Sequence, residues 1–544
     1  MIEDKIRNEI ISRIETNYPG VKIFSKNIEI TRPDKPEFGD FSTNISFRIA
    51  IQLKKKPDEV AKELAKVMGG WNRLEKAEAI NGFLNIFLKK AMFHDILQQI
   101  IDEKKQYGNN DLCKGKKVQI EFISANPTGP LTLANGRGGF GGDVLANVYE
   151  KAGAKVEREY LVNDGGNQVK ILGDSVLVAA GFSKEEEVYR GDYIDEWAKK
   201  NISKVKELCD KPKQLGQTVA QDILDNQIKK SVRRMKINFD NWFSEQKLIE
   251  SGEVEKALAD FEKKGLTYDK DGAVWFRTTK FGDDKDRVLI KADGENTYFA
   301  NDVAYHWDKF AARKFDKVIN FWGADHHGYI GRMQAATEAM GFDGQLKIVL
   351  MQLVRLIQDG KEIRMSKRLG NYVTMDELFE MIGGPVNEAS DVARFFFLSR
   401  AFSTHMDFDL NMAREKTEKN PVFYVKYAYA RLSGILRNAE KIKVEKANLS
   451  KLVAPEEIEL MDELSQLESI VRSIILFDDY PVHFLSFYVQ DIATKFHSFY
   501  DKCRVINEED IELTAARLSL VEATKIVLQI VMEDLIGIEA PEKM

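Results

Sequence analysis

The sequence predicts a multidomain α/β protein, in which a parallel sheet lies between a small α+β domain and an all-helical bundle. The chain has 544 residues, which is too long for a single core. Through its middle, apolar strand-like runs alternate with helical patterns, as expected of a parallel sheet with crossover helices. From Asn411 onward the pattern is almost wholly helical.

The bulk composition is that of an ordinary soluble protein. Hydrophobic residues make up 44% of the chain, and its 80 basic and 86 acidic residues leave a net charge of -6. No global positive field therefore indicates nucleic acid, although a local basic surface is sufficient for RNA binding. The three cysteines have no paired spacing, which favours a reduced setting. We expect neither a signal peptide nor a membrane span.

Residues 1–110 are predicted to form a small α+β domain. Their amphipathic pattern predicts one helix from Ile2 to Thr16 and another from Asp58 to Met68, with extended segments between them. A polar linker with turn residues, at 104–110, predicts the boundary to the next domain.

The middle of the chain, residues 111–405, is predicted to be a nucleotide-binding domain. Residues 183–290 are more heavily charged, with helical patterns first and strand-like patterns later, and are predicted to be an insertion. Ligands on parallel sheets bind beyond the carboxyl ends of the strands. The predicted strands are 118–123, 155–161 and 318–322, and the predicted helices are 140–151 and 332–340.

The most informative segment of this domain is 124–139, with the sequence SANPTGPLTLANGRGG. It follows the strand at 118–123 and leads into the helix at 140–151. Its backbone N–H groups and the helix dipole therefore favour a phosphate. Its spacing matches neither a phosphate loop ending in Gly-Lys-Ser nor a dinucleotide-binding fingerprint. The segment predicts a nucleotide site of another kind.

This segment resembles the first signature of class I aminoacyl-tRNA synthetases, and in particular of arginyl-tRNA synthetases. In that family a Ser-x-Asn-Pro-Thr-Gly-Pro run leads into His-x-Gly-His, whereas this chain has Thr132-Leu133-Ala134-Asn135. Segments 36–44, 81–86 and 537–544 are also similar to that family, so the resemblance covers essentially the whole chain. It implies a Rossmann-like class I catalytic domain, an N-terminal α+β domain that contacts tRNA, and a C-terminal all-α anticodon-binding bundle at 406–544.

A second segment, 361–371, resembles the Lys-Met-Ser-Lys loop of class I synthetases. Cations that close over ATP stabilise the charge that builds on the α-phosphate and on departing pyrophosphate. The resemblance implies four catalytic residues, Lys367, Asn135, Thr132 and Arg137. It also implies ATP as a substrate, with Mg2+ and without a structural metal. The implied ATP-binding residues are Pro127, Gly129, Ala134, Gly136, Gly323, Asp325, Met365, Ser366 and Lys367.

Selection of arginine calls for carboxylates, because a guanidinium is planar, permanently charged and carries five donors. The segment 297–306 resembles the family segment that supplies a tyrosine and an aspartate for this purpose. By resemblance, the arginine-binding residues are Glu121, Ser124, Asn126, Tyr298, Asp302 and His326. From the residues alone, Glu121 also fits a paired acid at a strand end. Segment 325–327 also fits a strand-to-helix turn with a capping aspartate. A metal site is a further alternative for this segment, but no additional His or Cys cluster supplies the remaining ligands.

The segment 420–431 interleaves aromatic and basic residues, a pairing that suits single-stranded bases and their phosphates. Taken alone, aromatic residues at helical spacing are more often part of a core. The segment nevertheless resembles the opening of the anticodon-binding bundle. This implies four tRNA-binding residues, Tyr424, Lys426, Tyr427 and Arg431.

The resemblance implies an arginine-tRNA ligase, which forms arginyl-adenylate from arginine and ATP and passes the arginyl group to the terminal adenosine of tRNA(Arg). It also implies that tRNA must bind before the adenylate forms. We expect a cytoplasmic monomer with no membrane contact. Two alternatives remain. One is a catalytically silent tRNA-binding paralogue, because Thr132 and Asn135 are shorter than histidine and neutral. The other is a ligase with a non-tRNA acceptor.

Overall fold

The computed structural model describes residues 1–33, 35–363, 373–440 and 447–544. Its first unit is an α+β domain on a three-stranded antiparallel sheet with the strand order β1-β3-β2. The elements are α1 (Ile2–Asn17), β1 (Phe41–Thr43), α2 (Ile45–Leu53), α3 (Pro57–Met68), β2 (Leu74–Ile80), β3 (Phe83–Leu88) and α4 (Ala91–Glu103).

The helices of this first unit confirm the sequence pattern. Helix α1 buries Ile2, Ile6, Ile10 and Ile14, which recur once per turn and form its apolar face. Helix α3 has Pro57 at its first position. A backbone N–H at this position has no partner within the helix, so proline costs no hydrogen bond there. Both predicted helices are present, with boundaries within one residue of the prediction.

The middle of the chain alternates strands and helices. In chain order the elements are β4 (Lys117–Glu121), α5 (Leu133–Lys151), β5 (Lys155–Val162), α6 (Gly166–Ala179), α7 (Asp192–Lys200), α8 (Ile202–Glu207), α9 (Pro212–Ile223), α10 (Lys229–Arg234), β6 (Asn241–Ser244), α11 (Glu245–Glu250), α12 (Glu253–Lys263), β7 (Thr267–Lys270), β8 (Ala273–Phe276), β9 (Arg287–Ile290), α13 (Tyr298–Trp307), β10 (Lys317–Gly323), α14 (Ile330–Ala339) and β11 (Leu346–Met351).

Five of these strands form one parallel sheet in the order β11-β10-β4-β5-β6. The chain runs outward from β4 through β5 and β6, and then on the other side through β10 and β11. This change of direction opens a crevice at the carboxyl ends of β4 and β10, where sheets of this kind bind ligands. The predicted parallel sheet is confirmed.

Helix α5 begins at Leu133, about two turns before the predicted start at Phe140. Its glycines allow close packing on several sides. A Cβ on Gly136 would lie 2.3 Å from the Met375 sulfur, and one on Gly142 would lie 2.3 Å from the Phe122 ring. Tertiary packing therefore outweighs the low helix propensity of glycine.

The segment predicted as an insertion, 183–290, contains helices first and strands later, as the pattern indicates. It is not one continuous insertion, because its strand β6 pairs with β5 in the central sheet. This strand has only four residues, all half-buried, which leaves a weak sequence signal. Strands β7, β8 and β9 form a separate antiparallel sheet, which packs with α12 and α13 around a second hydrophobic core.

The remainder of the chain is mostly helical. A small sheet with the order β13-β12-β14 precedes the helical bundle. Within the described ranges, no helix is long and apolar enough to cross a membrane. The elements are β12 (Val354–Gln358), β13 (Lys361–Ile363), α15 (Met375–Ile382), α16 (Val386–Phe397), β14 (Met406–Asp409), α17 (Leu410–Arg414), α18 (Pro421–Ala439), α19 (Pro455–Leu464), α20 (Leu467–Leu476), α21 (His483–Lys502) and α22 (Ile511–Gln529).

Two buried charged side chains of α16 join the central sheet to the helical bundle. Asp391 accepts hydrogen bonds from the ammonium groups of Lys236 and Lys426, each at 2.6 Å. Arg394 donates to Asp143 of α5 at 2.8 Å. Breaking one partner of such a pair typically costs about 3–5 kcal/mol. These pairs therefore fix the positions of α5 and α18 relative to each other, through α16.

Candidate active site at the carboxyl edge of the central sheet

The loop after β4 leaves the sheet through strained backbone. Ile123 and Ser124 have φ angles of 65° and 38°, in a region that a β-branched residue rarely adopts. The Ser124 hydroxyl donates to Glu121 at 3.2 Å and accepts from the N–H of Leu161 at 3.1 Å. Strain of this kind persists where the surroundings hold it, and it is common at binding sites.

Glu121 is the last residue of β4 and is only 5% exposed. Its Oε2 lies 2.5 Å from the ammonium of Lys309, a side chain without solvent exposure. The alternative of a paired acid at a strand end therefore describes its contacts well. This pairing and a place in a substrate pocket are compatible, because a carboxylate has further acceptor positions.

Helix α13 carries Tyr298 and Asp302, which lie one turn apart on one face. Tyr298 is 70% exposed. Asp302 accepts a hydrogen bond from the hydroxyl of Tyr329. Burial raises the pKa of Asp302 to about 7; the hydrogen bond from Tyr329 opposes this, and the nearby carboxylates of Glu245 and Glu121 add to it. Both carboxylates therefore lie close enough to act on Asp302, and an added cation would relieve this repulsion.

Glu245 is an acid near Asp302 that the sequence interpretation missed. It is the first residue of α11, directly after β6, so it lies at the same carboxyl edge as Glu121. Burial and the charge of Asp164 raise its pKa, while a hydrogen bond with Asn301 lowers it. Recognising β6 as a strand of the central sheet would have identified this acid.

The loop residues Asn126, Pro127 and Gly129 follow the strained turn. The N–H of Thr128 donates to the carbonyl of Asn126 at 2.7 Å, and the hydroxyl of Tyr193 donates to the carbonyl of Thr128 at 2.6 Å. Pro127 borders a cleft of about 140 Å³, which is also lined by Asp164, Gln217, Gln221 and Gln246. Val162, Ala220 and Leu224 supply apolar walls, so the loop is held beside an open cleft of mixed polarity.

The first turn of α5 holds Thr132, Ala134 and Asn135. The Asn135 side-chain oxygen accepts from the N–H of Thr132 at 2.8 Å and from its hydroxyl at 3.0 Å. The hydroxyl of Thr132 is therefore engaged within the protein. No residue in the described part of the chain accepts from the amide of Asn135, so these two donors remain available. Ala134 is exposed beside them.

Arg137 is buried and bonded within the protein, which does not fit the catalytic role predicted from sequence. It is 1% exposed, and its guanidinium donates to the carbonyls of Gln352 at 2.8 Å and Ala401 at 2.7 Å. Burial lowers its pKa to about 10. Gly136 is likewise buried, against Met375, and serves helix packing. Both residues lie on faces of α5 that turn into the core.

The predicted residues Met365, Ser366 and Lys367 lie outside the described residues, so their contacts are not part of the structure. The residues on either side are described. The hairpin of β12 and β13 ends at Ile363. After the gap, Thr374 forms a β-bridge with Thr132, and the N–H of Met375 donates to the carbonyl of Leu131 at 2.9 Å. The chain that follows the second signature is therefore joined to the first.

Gly323 ends β10, next to the crevice. A Cβ at this position would lie 2.5 Å from Oδ1 of Asp325. The side chain of Asp325 is 81% exposed and that of His326 is 60% exposed, with 3.7 Å between them. The His326 ring packs on Trp322, with 6.0 Å between the centroids. These exposed groups border the crevice opposite the start of α5.

The four predicted residues of α18 have different surroundings. Lys426 is 9% exposed and is paired with Asp391, so its predicted contact with tRNA is not available. Tyr427 is 41% exposed. The guanidinium of Arg431 donates to the Tyr427 hydroxyl at 2.7 Å. Tyr424 packs on His497, with 5.0 Å between the ring centroids.

Tyr427 and Arg431 also line an open cleft of about 430 Å³. The Arg431 guanidinium lies over the rings of Tyr427 and Tyr500, 4.7 Å and 4.8 Å from their centroids. The side chains of Lys543 and Met544 complete this end of the cleft. Exposed aromatic rings beside a cation suit a nucleic acid base and its phosphate.

Comparison with protein families divides the chain into three matched parts. Residues 1–88 match the arginyl tRNA synthetase N-terminal domain. Residues 96–389 match the catalytic domain of class I tRNA synthetases (R). Residues 425–544 match the DALR anticodon binding domain.

Individual relatives match this chain over its full length. The chain is 42% identical to an arginine--tRNA ligase of Acetivibrio thermocellus, covering 100% of this chain and 98% of that protein. It is 39% identical to one of Citrifermentans bemidjiense, with both chains covered completely. Its fold matches the arginyl-tRNA synthetase of Thermus thermophilus with a TM-score of 0.78 and 20% identity, over 100% of both chains. The chain belongs to the arginyl-tRNA synthetases.

Proposed function

We propose that this protein is an arginine-tRNA ligase, which activates arginine with ATP and transfers it to the 3' end of tRNA(Arg) in translation. One observation carries the proposal. In a chain of this family, three acids converge at the carboxyl edge of the sheet, beside the loop and helix of the first signature. These acids are Glu121, Glu245 and Asp302.

The charges of this pocket suit arginine. Asp302 and Glu245 would bind the guanidinium, with the exposed ring of Tyr298 covering it. Glu121 would face the substrate ammonium, and Asn126 the substrate carboxylate. Ser124 and His326 complete the proposed pocket, Ser124 through its bond to Glu121 and His326 at the rim.

The nucleotide would lie across the crevice between the start of α5 and the end of β10. Free N–H groups in the first turn of a helix favour phosphate, and the amide of Asn135 supplies two more donors. Gly323 and Asp325 would border the adenosine. Pro127, Gly129 and Ala134 would line the rest. Mg2+ would enter with ATP as part of the substrate.

The reaction proceeds in two steps in this proposal. The arginine carboxylate attacks the α-phosphate of ATP, and pyrophosphate leaves. A ribose hydroxyl of the terminal tRNA adenosine then attacks the arginyl carbonyl, and AMP leaves. The cations of the second signature, above all Lys367 with Met365 and Ser366 beside it, would stabilise the charge on departing pyrophosphate. Discrimination rests on the acids, because few natural competitors carry a guanidinium.

The cleft on α18 is the proposed contact for the tRNA anticodon loop. Tyr427 and Arg431, together with Tyr424 and His497, offer ring faces and a cation. Lys426 is not part of this contact because its ammonium is paired with Asp391.

We also propose domain limits of 1–110, 111–405 and 406–544, and a monomeric protein in the cytoplasm.

Aminoacylation with purified protein tests the proposal. Labelled arginine, ATP and tRNA(Arg) should give acid-precipitable arginyl-tRNA, whereas lysine in place of arginine should give none. Binding of tRNA(Arg) without any charging would overturn the enzyme and favour a silent tRNA-binding paralogue. Release of pyrophosphate with arginine but no charging would favour a non-tRNA acceptor.

A further inference from the structure

The buried lysine Lys309 contacts Glu121, one of the acids of the proposed pocket. Its side chain has no solvent exposure, and its ammonium lies 2.5 Å from Glu121 and 3.2 Å from the side-chain oxygen of Asn320. The same ammonium lies 4.1 Å from the centroid of the Tyr305 ring. A fully buried lysine is rare and costly unless it is paired, so its bond to Glu121 is a strong constraint on the position of both groups.

Lys309 also belongs to the element that carries the guanidinium acid. Helix α13 ends at Trp307, and the π-helical segment Asp308–Ala312 continues it without a break. Asp302 lies about two turns before Lys309 on this rod. The bond from Lys309 to Glu121 therefore joins the helix that presents Asp302 to the strand that ends in Glu121.

Other side chains near this end of α13 make the connection rigid. The Tyr305 hydroxyl donates to the buried Glu159 at 2.5 Å. His306 shares a hydrogen bond with Asn320 at 2.9 Å. Because burial lowers the pKa of His306 to about 3, with the nearby ammonium of Lys309 adding to the effect, this ring stays neutral and adds no charge of its own. Within this cluster Lys309 is paired with Glu121, whereas the guanidinium of Arg313 is paired with Glu157 and Glu159.

The substrate presents its two cations at opposite ends, and the pocket must match their separation. Glu121 and Asp302 are close enough for the charge of one to act on the other, and Lys309 acts on Asp302 in the opposite sense. Two carboxylates left without a counter-charge would separate or take up protons. A cation held behind Glu121 keeps the two acids at one fixed distance.

We propose that Lys309 is a positioning residue that sets the distance between Glu121 and Asp302, and thereby selects a cationic amino acid of the length of arginine. The proposal rests on the arginine-activating function proposed above. Lys309 acts through Glu121 and does not touch the substrate. Since one methylene in a fitted pocket is worth about tenfold or more in kcat/KM, loss of this constraint should appear as lost discrimination by length.

The test compares arginine with homoarginine, which is one methylene longer, in ATP–pyrophosphate exchange with tRNA(Arg) present. Lys309→Met keeps the length of the side chain and removes its charge. We expect the kcat/KM ratio of arginine to homoarginine to fall by about tenfold. Lys309→Arg, which keeps the charge, should retain most of the ratio. Lys317→Met removes a lysine from the opposite end of the sheet and should leave the ratio unchanged.

A second experiment, in the Glu121→Gln variant, distinguishes a positioning role of Lys309 from a general loss of structure. In Glu121→Gln, adding Lys309→Met should change the ratio by less than about twofold, because the lysine then has no carboxylate to hold. The double variant also removes both buried charges, which keeps the experiment possible if Lys309→Met alone does not fold. An unchanged ratio in folded Lys309→Met would overturn the proposal. So would a change of more than about twofold when Lys309→Met is added to Glu121→Gln. Failure of the parent protein to exchange pyrophosphate would instead overturn the proposed function.

Discussion

The proposed arginine pocket and the first turn of α5 lie at the same edge of the central sheet, yet they are built differently. In the pocket, Glu121 is held by the buried Lys309, and Asp302 is held by Tyr329. At the start of α5, Thr132 and Asn135 are short, neutral and hydrogen-bonded to each other. One region is an arrangement of fixed charges, and the other is a helix end with few charged groups.

Under the proposed function, the difference corresponds to the part of the reaction that needs fixed charges. Recognition of a guanidinium depends on carboxylates in a set geometry, so the pocket tolerates little change. A nucleotide can be held by backbone N–H groups and by mobile cations, so neutral side chains are acceptable in the first turn.

The largest expected effect is on the pocket. Asp302→Asn should lower kcat/KM for arginine by about 10²–10³-fold, because a guanidinium would then lack one of its carboxylates. Pyrophosphate exchange at varied arginine concentration measures this. Glu338→Gln, at an exposed acid of α14, is the control and should change little. A loss of less than about threefold in Asp302→Asn would remove this residue from the pocket.

The next effect tests the start of α5. Asn135→Ala should lower kcat for pyrophosphate exchange by about 10–100-fold, because both the amide donors and the cap on Thr132 are lost. Asn135→Asp keeps an acceptor for the N–H of Thr132 but removes the donors. A similar loss in both variants would assign the effect to the donors, whereas normal exchange in Asn135→Ala would show that Asn135 has no part in ATP binding.

The same comparison shows what the sequence predicts well. The parallel sheet and α1 follow from periodicity. The place of Glu121 and Asp302 in an arginine pocket follows from segments similar to the family, and it stays a prediction. Helix α5 starts earlier than predicted, because packing against Met375 and Phe122 compensates for its glycines. Such packing is a tertiary effect, and no local pattern in the sequence reports it.

Side-chain roles were harder to predict where burial decides them. Arg137 and Lys426 have the residue types expected of phosphate contacts, but the fold turns both into the interior. Glu245 was missed because the short strand β6 carries no strong periodicity. Lys309 was missed because a lysine is usually solvated, and only the three-dimensional structure places its ammonium against Glu121.

A smaller effect tests the packed body of α5. Gly142→Ala should destabilise the protein by about 1–3 kcal/mol, since the added Cβ would lie 2.3 Å from the Phe122 ring near its point of attachment. Gly434→Ala, within α18, is the matched control. Its nearest neighbour is the mobile end of Arg437 at 3.7 Å, so this change should be neutral or stabilising. Denaturant unfolding measures both, and equal stability of the two variants would contradict the packing account.

The smallest expected effect is the pH dependence of arginine binding. The pKa of Asp302 is raised to about 7, so its carboxylate takes up a proton as the pH falls through 7. Arginine binds the ionised form, and its KM should therefore rise by about threefold between pH 7.5 and 6.5. Exchange assays across this range measure the change. In Asp302→Asn the same interval should give a flat profile, and a profile equal to that of the parent would assign the titration to another group.

The central claim is that a protein with Thr132 and Asn135 in place of the family histidines remains an active enzyme with an intact arginine pocket. Arginine-dependent ATP–pyrophosphate exchange by the purified full chain, with and without tRNA(Arg), tests it most directly. We predict exchange with arginine and tRNA(Arg) together, and none with lysine. Tight binding of tRNA(Arg) without any exchange would contradict the claim.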